Sequence, residues 1–235
     1  MRIYKGLYEA FKETERELFE MGILIHPQTM QDKDVSEDEN YITKELQGYC
    51  FKITSQTTRD TDFVTLNGNI EYVIQELSDR MNVHWLNPGK AFRNRNEVWK
   101  EFLHKGKFAY TYNERFREQL PQIIEELKIN PQTRQAIVTM YDRHQDINNI
   151  GGKARIPCSM YYQFLRRNRE GEEFLDAIYT MRSCDLYTHF IYDLWLGMGL
   201  QEEIGRNIGI YPGHFTFFVG SLHAYKKDYK DKGVF

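Results

Sequence analysis

Residues 182–195 read Arg182-Ser183-Cys184-Asp185-Leu186-Tyr187-Thr188-His189-Phe190-Ile191-Tyr192-Asp193-Leu194-Trp195. A cation, a hydroxyl and a carboxylate fall within the first four residues. A helix predicted over 185–200 follows, apolar on most sides and therefore buried. Asp193 sits inside it among Phe190, Ile191, Leu194 and Trp195. An acid so placed costs several kcal/mol unless a partner satisfies it. Working outward, the patterning predicts strands over 136–141 and 159–166, and a strand pair over 211–225. It predicts helices over 4–21, 70–81 and 115–128, the second begun after Asn67-Gly68-Asn69. Residues 48–66 read as an extended segment and its turn, 22–40 as a polar surface loop, and 226–232 as a charged tail. Strands and helices alternate irregularly, which favours an α+β fold over a doubly wound sheet.

The chain has 235 residues, 41% of them hydrophobic and 14% aromatic, so a full core is within reach. A single domain over 1–235 would bury roughly 70–75% of its unfolded surface. Lys and Arg number 31 against 34 Asp and Glu, a net charge of −3, without the basic surplus that binding a nucleic-acid backbone needs. The basic patch of Lys90, Arg93 and Arg95 lacks interleaved aromatics and reads as a solvated loop. No apolar run approaches the 18 or so residues of a membrane helix. The first twenty residues lack the apolar core of a signal peptide. Three scattered cysteines make no disulfide framework. A cytoplasmic protein is expected.

Metal chemistry is not expected either: there is no Cys-x-x-Cys or His-x-x-x-His pair, and the seven histidines are dispersed. Gly151-Gly152-Lys153 lacks the spacing of a phosphate loop, and no serine sits in a nucleophile elbow. Three pieces remain besides Asp193. Cys158 follows Pro157 ahead of the aromatic run Tyr161-Tyr162-Gln163-Phe164. Arg182-Ser183-Cys184-Asp185 precedes the buried helix. Gly220-Ser221-Leu222-His223-Ala224-Tyr225 ends a hydrophobic strand with two hydrogen-bonding side chains. Singly, each has a structural reading: a core cysteine, a helix cap, surface residues at a strand end. Composition does not name a reaction.

At these residues the chain resembles the thymidylate synthase family, and within it most of all the phage deoxycytidylate hydroxymethylases. Pro157-Cys158 matches the family's nucleophile motif, with Gln163, which the resemblance implies contacts the substrate in the same cleft, in the aromatic strand behind it. Arg182-Ser183-Cys184-Asp185 matches its Arg-Ser-x-Asp motif. The base-reading position, eleven residues after Arg182, falls on Asp193, and the His-x-Tyr pair, thirty residues further, on His223 and Tyr225. Asn130-Pro131-Gln132-Thr133-Arg134 resembles the dimer-interface segment, and Glu76-Leu77 the segment of the catalytic glutamate. The resemblance implies an α+β fold: a large mixed sheet flanked by helices, packed sheet to sheet in a homodimer.

Synthases carry Asn at the position of Asp193. An ionised Asp only accepts hydrogen bonds; it would oppose the carbonyl of uracil but match the amino group of cytosine. An unpaired buried acceptor costs roughly 1–3 kcal/mol, so the exchange favours cytosine, as in the hydroxymethylases. Ser159, where synthases have His, and Gly220-Ser221-Leu222-His223 also resemble that group. The implied reaction is conversion of dCMP to 5-hydroxymethyl-dCMP with 5,10-methylenetetrahydrofolate as co-substrate and no metal. Cys158 would add to carbon 6 of the pyrimidine and so make carbon 5 nucleophilic. Glu76 would position water and shuttle protons.

By the same resemblance Asp185 contacts the pterin. Arg182, Ser183 and a partner subunit's Arg134 grip the phosphate, while His223 and Tyr225 hold the sugar 3′-hydroxyl. Tyr110 matches an active-site tyrosine, with Tyr112 competing for that place. Three features depart from the family. A single interface arginine, Arg134, stands where the family has two, and Arg155 or Lys153 is the candidate replacement. Residues 26–31 offer no counterpart of the N-terminal phosphate-binding arginine. The segment 168–173 is several residues longer, which reads as a longer hairpin turn. Methyl transfer to dCMP, dTMP synthesis, a CMP substrate and a non-catalytic nucleotide-binding protein remain the alternatives. A phage-encoded enzyme would work in the host cytoplasm.

Overall fold

Phe215, Phe217 and Val219 are buried and alternate with Thr216 and Phe218, and this period of two runs through one continuous strand, Tyr211–Tyr225. The computed structural model describes residues 1–151 and 153–229. Its strands are β1 (Arg2–Tyr4), β2 (Ile23–Ile25), β3 (Thr29–Met30), β4 (Lys33–Asp34), β5 (Thr43–Ile53), β6 (Ile137–Thr139), β7 (Ser159–Arg169), β8 (Glu172–Asp185) and β9 (Tyr211–Tyr225). The helices are α1 (Leu7–Met21), α2 (Arg59–Thr65), α3 (Ile70–Met81), α4 (Asn96–Trp99), α5 (Tyr112–Phe116), α6 (Leu120–Ile129), α7 (Ile191–Ile208) and α8 (Lys226–Tyr229). Seven strands form one mixed sheet in the order β1-β5-β9-β8-β7-β6, with β2 also on β5. Pairing is parallel at β1/β5 and β8/β9 and antiparallel elsewhere. The α+β class with a large mixed sheet flanked by helices is therefore as expected.

Register aligns the two faces in rows. Phe51, Phe217, Tyr179, Tyr162 and Val138 form one row on the helix-covered face; all five are buried, with Tyr162 and Tyr179 stacked at 4.1 Å. The next row, Cys50, Phe218, Thr180, Tyr161 and Thr139, lies on the opposite face, where Tyr161 and Phe218 are exposed. Beyond Gly220 both sides of β9 are enclosed: Leu222 and Ala224 are buried on one, while His223 and Tyr225 line a cleft on the other. A Cβ at Gly220 would stand 2.9 Å from the Arg182 carbonyl, so only glycine lets β9 pass this close to β8.

Several boundaries differ from the sequence expectation. Residues 2–4 form β1 before α1 begins. Residues 59–65 are helical because Phe63 inserts against Tyr192 and Trp195, and Asp60 accepts from Trp195 Nε1 at 2.7 Å. The helix expected over 115–128 is two, α5 and α6, with Pro121 in the first turn of the second. The pair expected over 211–225 is the single strand β9, since β5 and β8 bond it along both edges. The polar segment 22–40 contains β2, β3 and β4. The added residues near 168–173 lengthen the arms of the β7–β8 hairpin; Arg169 pairs Glu172 across the two-residue turn Glu170-Gly171, both at positive φ. Of the expected charged tail, Lys226–Tyr229 is helical and Lys230, Asp231 and Lys232 lie outside the described residues. Among the described residues no helix is long and apolar enough to cross a membrane.

Helix α7 is buried as predicted, with Leu194 through Gln201 all inaccessible. Its approach to the sheet depends on Gly197, where a Cβ would lie 2.7 Å from Phe215 and 3.3 Å from Tyr179. We expect Gly197→Val to cost about 1–3 kcal/mol through overpacking. Urea denaturation checks this, and an unchanged midpoint would contradict the packing described.

Candidate active site

The C-terminal ends of β8 and β9, with α3, α7, the segment 86–113 and the β3–β4 hairpin, enclose a cavity of about 420 Å³. Cys158, Glu76, Asp193, Arg182, Ser183, Asp185, His223, Tyr225 and Tyr110 all line it. Gln163 and Arg134 do not. Gln163 sits in mid-β7 on the uncovered sheet face, donating through Nε2 to the Arg134 carbonyl at 2.9 Å. The expectation that Gln163 joins Cys158 in one cleft is therefore corrected for this chain: Cys158 precedes β7, whereas Gln163 points to the other side of the sheet.

Arg182 organises the nucleophile segment. Its backbone N–H donates to the Cys158 carbonyl at 2.8 Å. Its Nε donates to the Pro157 carbonyl at 3.0 Å and its Nη2 to the Ile156 carbonyl at 3.1 Å. Parallel pairing sets Asp185 beside His223 and Ser183 beside Ser221. Asp185 Oδ1 accepts from the N–H groups of Tyr187 and Thr188, at 3.0 and 3.2 Å, and so caps the π-helical turn Leu186–Phe190 that leads into α7. Ser221 Oγ donates to Glu45 at 2.6 Å and lies 3.5 Å from His223 Nδ1. Burial lowers the His223 pKa, against the pull of Asp185. Burial raises the Tyr225 phenol.

Opposite stand the carboxyls. Glu76 on α3 accepts from Arg80 Nε at 2.7 Å, one helical turn on. Burial raises the Glu76 pKa, with Arg80 opposing. Asp193 is pushed up to about 6, chiefly by burial, while Arg80 and the Cys184 thiol (3.7 Å) oppose the shift. The Arg80 guanidinium lies 4.1 Å from the centre of the Tyr112 ring. Both candidate tyrosines face the cleft. Tyr112 OH lies 3.0 Å from Ser159 Oγ, next to the nucleophile, and burial pushes Tyr110 up to about 12.

Sequence reasoning missed three features. Arg80, four residues after Glu76, was legible from helical spacing. The second is Gln31, taken as part of a surface loop. The third is an aromatic wall in which the Phe108 ring centre lies 5.8 Å from that of Phe92 and 6.2 Å from that of Trp99. It offers flat, apolar faces of the kind a heteroaromatic ring system stacks on. Arg155 stands at this end, its guanidinium 4.3 Å from Phe102 and 5.3 Å from Trp99, whereas Lys153 is outside the cleft.

The model of the family described as thymidylate synthase matches residues 25–232. The chain belongs to the thymidylate synthase family. It is 24% identical over 235 residues to the thymidylate synthase of Streptococcus sanguinis strain SK36, covering 94% of this chain and 78% of that protein. It is 26% identical over 159 residues to that of Streptococcus pneumoniae strain R6, covering 67% of this chain and 52% of that protein. The crystal structure of thymidylate synthase from T4 phage shares the fold, with a TM-score of 0.70 at 19% identity over 94% of this chain and 78% of that one. The family consists of folate-dependent one-carbon transferases of nucleotide biosynthesis, with methylenetetrahydrofolate as co-substrate.

The Asp193 carboxyl makes stability pH-dependent. Its folded pKa is about 6 against an ordinary 3.8, so the folded state holds the proton more tightly. That contribution is complete below about pH 3.8 and is lost as pH rises through 6. We expect Asp193→Asn, which does not titrate, to gain roughly 2–3 kcal/mol relative to the parent between pH 4 and pH 7. Urea titrations at the two pH values measure it; a constant difference would mean Asp193 titrates as an ordinary carboxyl.

Proposed function

We propose that this chain is a deoxycytidylate hydroxymethylase, converting dCMP to 5-hydroxymethyl-dCMP. The observation that carries the reading is a carboxyl, Asp193, lining the cleft 3.7 Å from the Cys184 thiol, with burial pushing its pKa up to about 6. Above that value the carboxylate only accepts hydrogen bonds. The 4-amino group of cytosine donates to it, whereas the O4 carbonyl of uracil opposes it. A cytosine that also takes a proton at N3 donates to it twice.

In this reading the Cys158 thiolate bonds to carbon 6 of the pyrimidine, which makes carbon 5 nucleophilic. Bound methylenetetrahydrofolate supplies the one-carbon unit; the aromatic wall and Asp185 are the residues that would hold it. Glu76, its orientation fixed by Arg80, delivers water to the exocyclic methylene and carries the protons. Arg182 and Ser183 face the phosphate, and His223 with Tyr225 faces the sugar hydroxyl. The names of the curated relatives favour a second reading, dTMP synthesis from dUMP, which the Asp193 carboxyl opposes.

Mass spectrometry after incubation with methylenetetrahydrofolate and, separately, dCMP, CMP and dUMP tests this. We expect a gain of about 30 mass units on dCMP, the CH₂O added at carbon 5. A gain of about 14 units, a methyl group from the reductive branch, would mean that folate hydride quenches the intermediate; reaction of dUMP alone would overturn the role of Asp193. Asp193→Asn is expected to reverse the preference between dCMP and dUMP.

The uncovered sheet face supports a second proposal, that two chains pack sheet to sheet and Arg134 of one completes the phosphate site of the other. Arg134→Ala and Cys158→Ser homodimers are each expected to be nearly inactive. Their mixture should recover about a quarter of parental activity, since half the dimers are hybrid and each hybrid has one intact site. No recovery after subunit exchange would refute the shared site.

A further inference from the structure

The β3–β4 hairpin brings Gln31 from the polar segment onto the nucleophile. Gln31 Nε2 donates to Cys158 Sγ at 3.7 Å, and Gln31 Oε1 accepts from the Ile156 backbone N–H at 3.4 Å. The second contact settles which end of the amide faces the sulfur. A backbone N–H can only donate, so the carbonyl oxygen must turn to Ile156 and the NH₂ to Cys158. Arg182 already holds the carbonyls of Ile156 and Pro157; Gln31 takes the one backbone donor of that pair, since Pro157 has none.

Gln31 is placed at a conformational cost. Its φ is +57°, in the left-handed region that a non-glycine side chain occupies only when surrounding structure enforces it. The enforcement is visible. Val35 N–H donates to the Gln28 carbonyl at 2.9 Å across the hairpin. Lys33 Nζ reaches Glu101 at 2.6 Å and lies 5.5 Å from the centre of the Phe102 ring, tying the hairpin to the opposite wall of the cleft. The fold thus spends strain to aim one neutral donor at one sulfur.

We propose that Gln31 is a catalytic residue, aiming the Cys158 sulfur and donating a hydrogen bond to its thiolate. This deepens the reading of the cleft above and rests on it for Cys158 as nucleophile. A neutral amide suits the position: it stabilises negative charge on sulfur without adding a cation that would hold the thiolate as an ion pair and blunt its attack on carbon 6. The same donor receives the thiolate again when the carbon–sulfur bond breaks and the product leaves.

The test is alkylation of Cys158 by iodoacetamide at pH 7.5 in the nucleotide-free protein, read on the Cys158 peptide by mass spectrometry. Gln31→Leu removes the donor. Gln31→Asn keeps a residue that tolerates positive φ and keeps the amide, one methylene short of the sulfur. Both are expected to slow alkylation about tenfold, the scale of one hydrogen bond to a charged group, with unchanged circular dichroism. Gln31→Glu, which places a carboxylate at the sulfur, should slow it further. In turnover the loss should fall on kcat, with KM for the nucleotide changed less than about threefold, as for an interaction with the reacting atom. Alkylation of Gln31→Asn within twofold of the parent would overturn the proposal, and so would a loss confined to KM. The alkylation arm involves no nucleotide, so a failure of dCMP turnover bears on the proposed function and leaves this inference standing.

Discussion

Two carboxyl groups, Glu76 and Asp193, share the interior wall of the cleft with the Arg80 guanidinium, and much of the site follows from that grouping. Arg80 bonds Glu76 and faces Asp193 through space. Burial lifts both carboxyls, while Arg80, joined at Asp193 by Arg95, opposes the lift. The arrangement needs α3 and α7 side by side. Asn69 N–H donating to Tyr192 OH at 3.1 Å, and the edge contacts of Tyr72 and Phe63 on Tyr192, supply that. The acid–base character of the cleft is thus a property of helix packing before it is a property of any single residue.

The opposite wall is built by the sheet. β8 and β9 end together, so a hydroxyl, a carboxylate and an imidazole arrive in register at one edge. The π-helical turn after Asp185 then redirects the chain into α7, which returns Asp193 to the same space. One stretch of about a dozen residues supplies both sides of the cavity, which is why its composition is so revealing.

That concentration explains what could be read in advance. Cys158, the Arg182–Asp185 group, Asp193, His223 and Tyr225 carry their chemistry in short local patterns. Buried α7 and strand β7 were visible because long apolar runs have a clear period. Helix α2 was not, because its one buried apolar residue, Phe63, gives no period; its helicity comes from contacts with α7. The break between α5 and α6 was hidden because a helical pattern continues across it. Gln31 was invisible for a related reason: a polar residue in a polar loop has no local signature, and its partner lies 127 residues away. Gln163 shows the converse, a motif residue whose place on a strand face turns it from the cleft to the outer surface.

β8 serves two masters. Its middle residues Ile178 and Thr180 lie in the rows of the uncovered face, while Arg182, a few residues on and about 10 Å along the strand, grips the loop carrying the nucleophile. The outer rows and the clamp on the nucleophile's loop thus belong to one strand, so a second chain seated on that face would rest on the element that holds Cys158 in place.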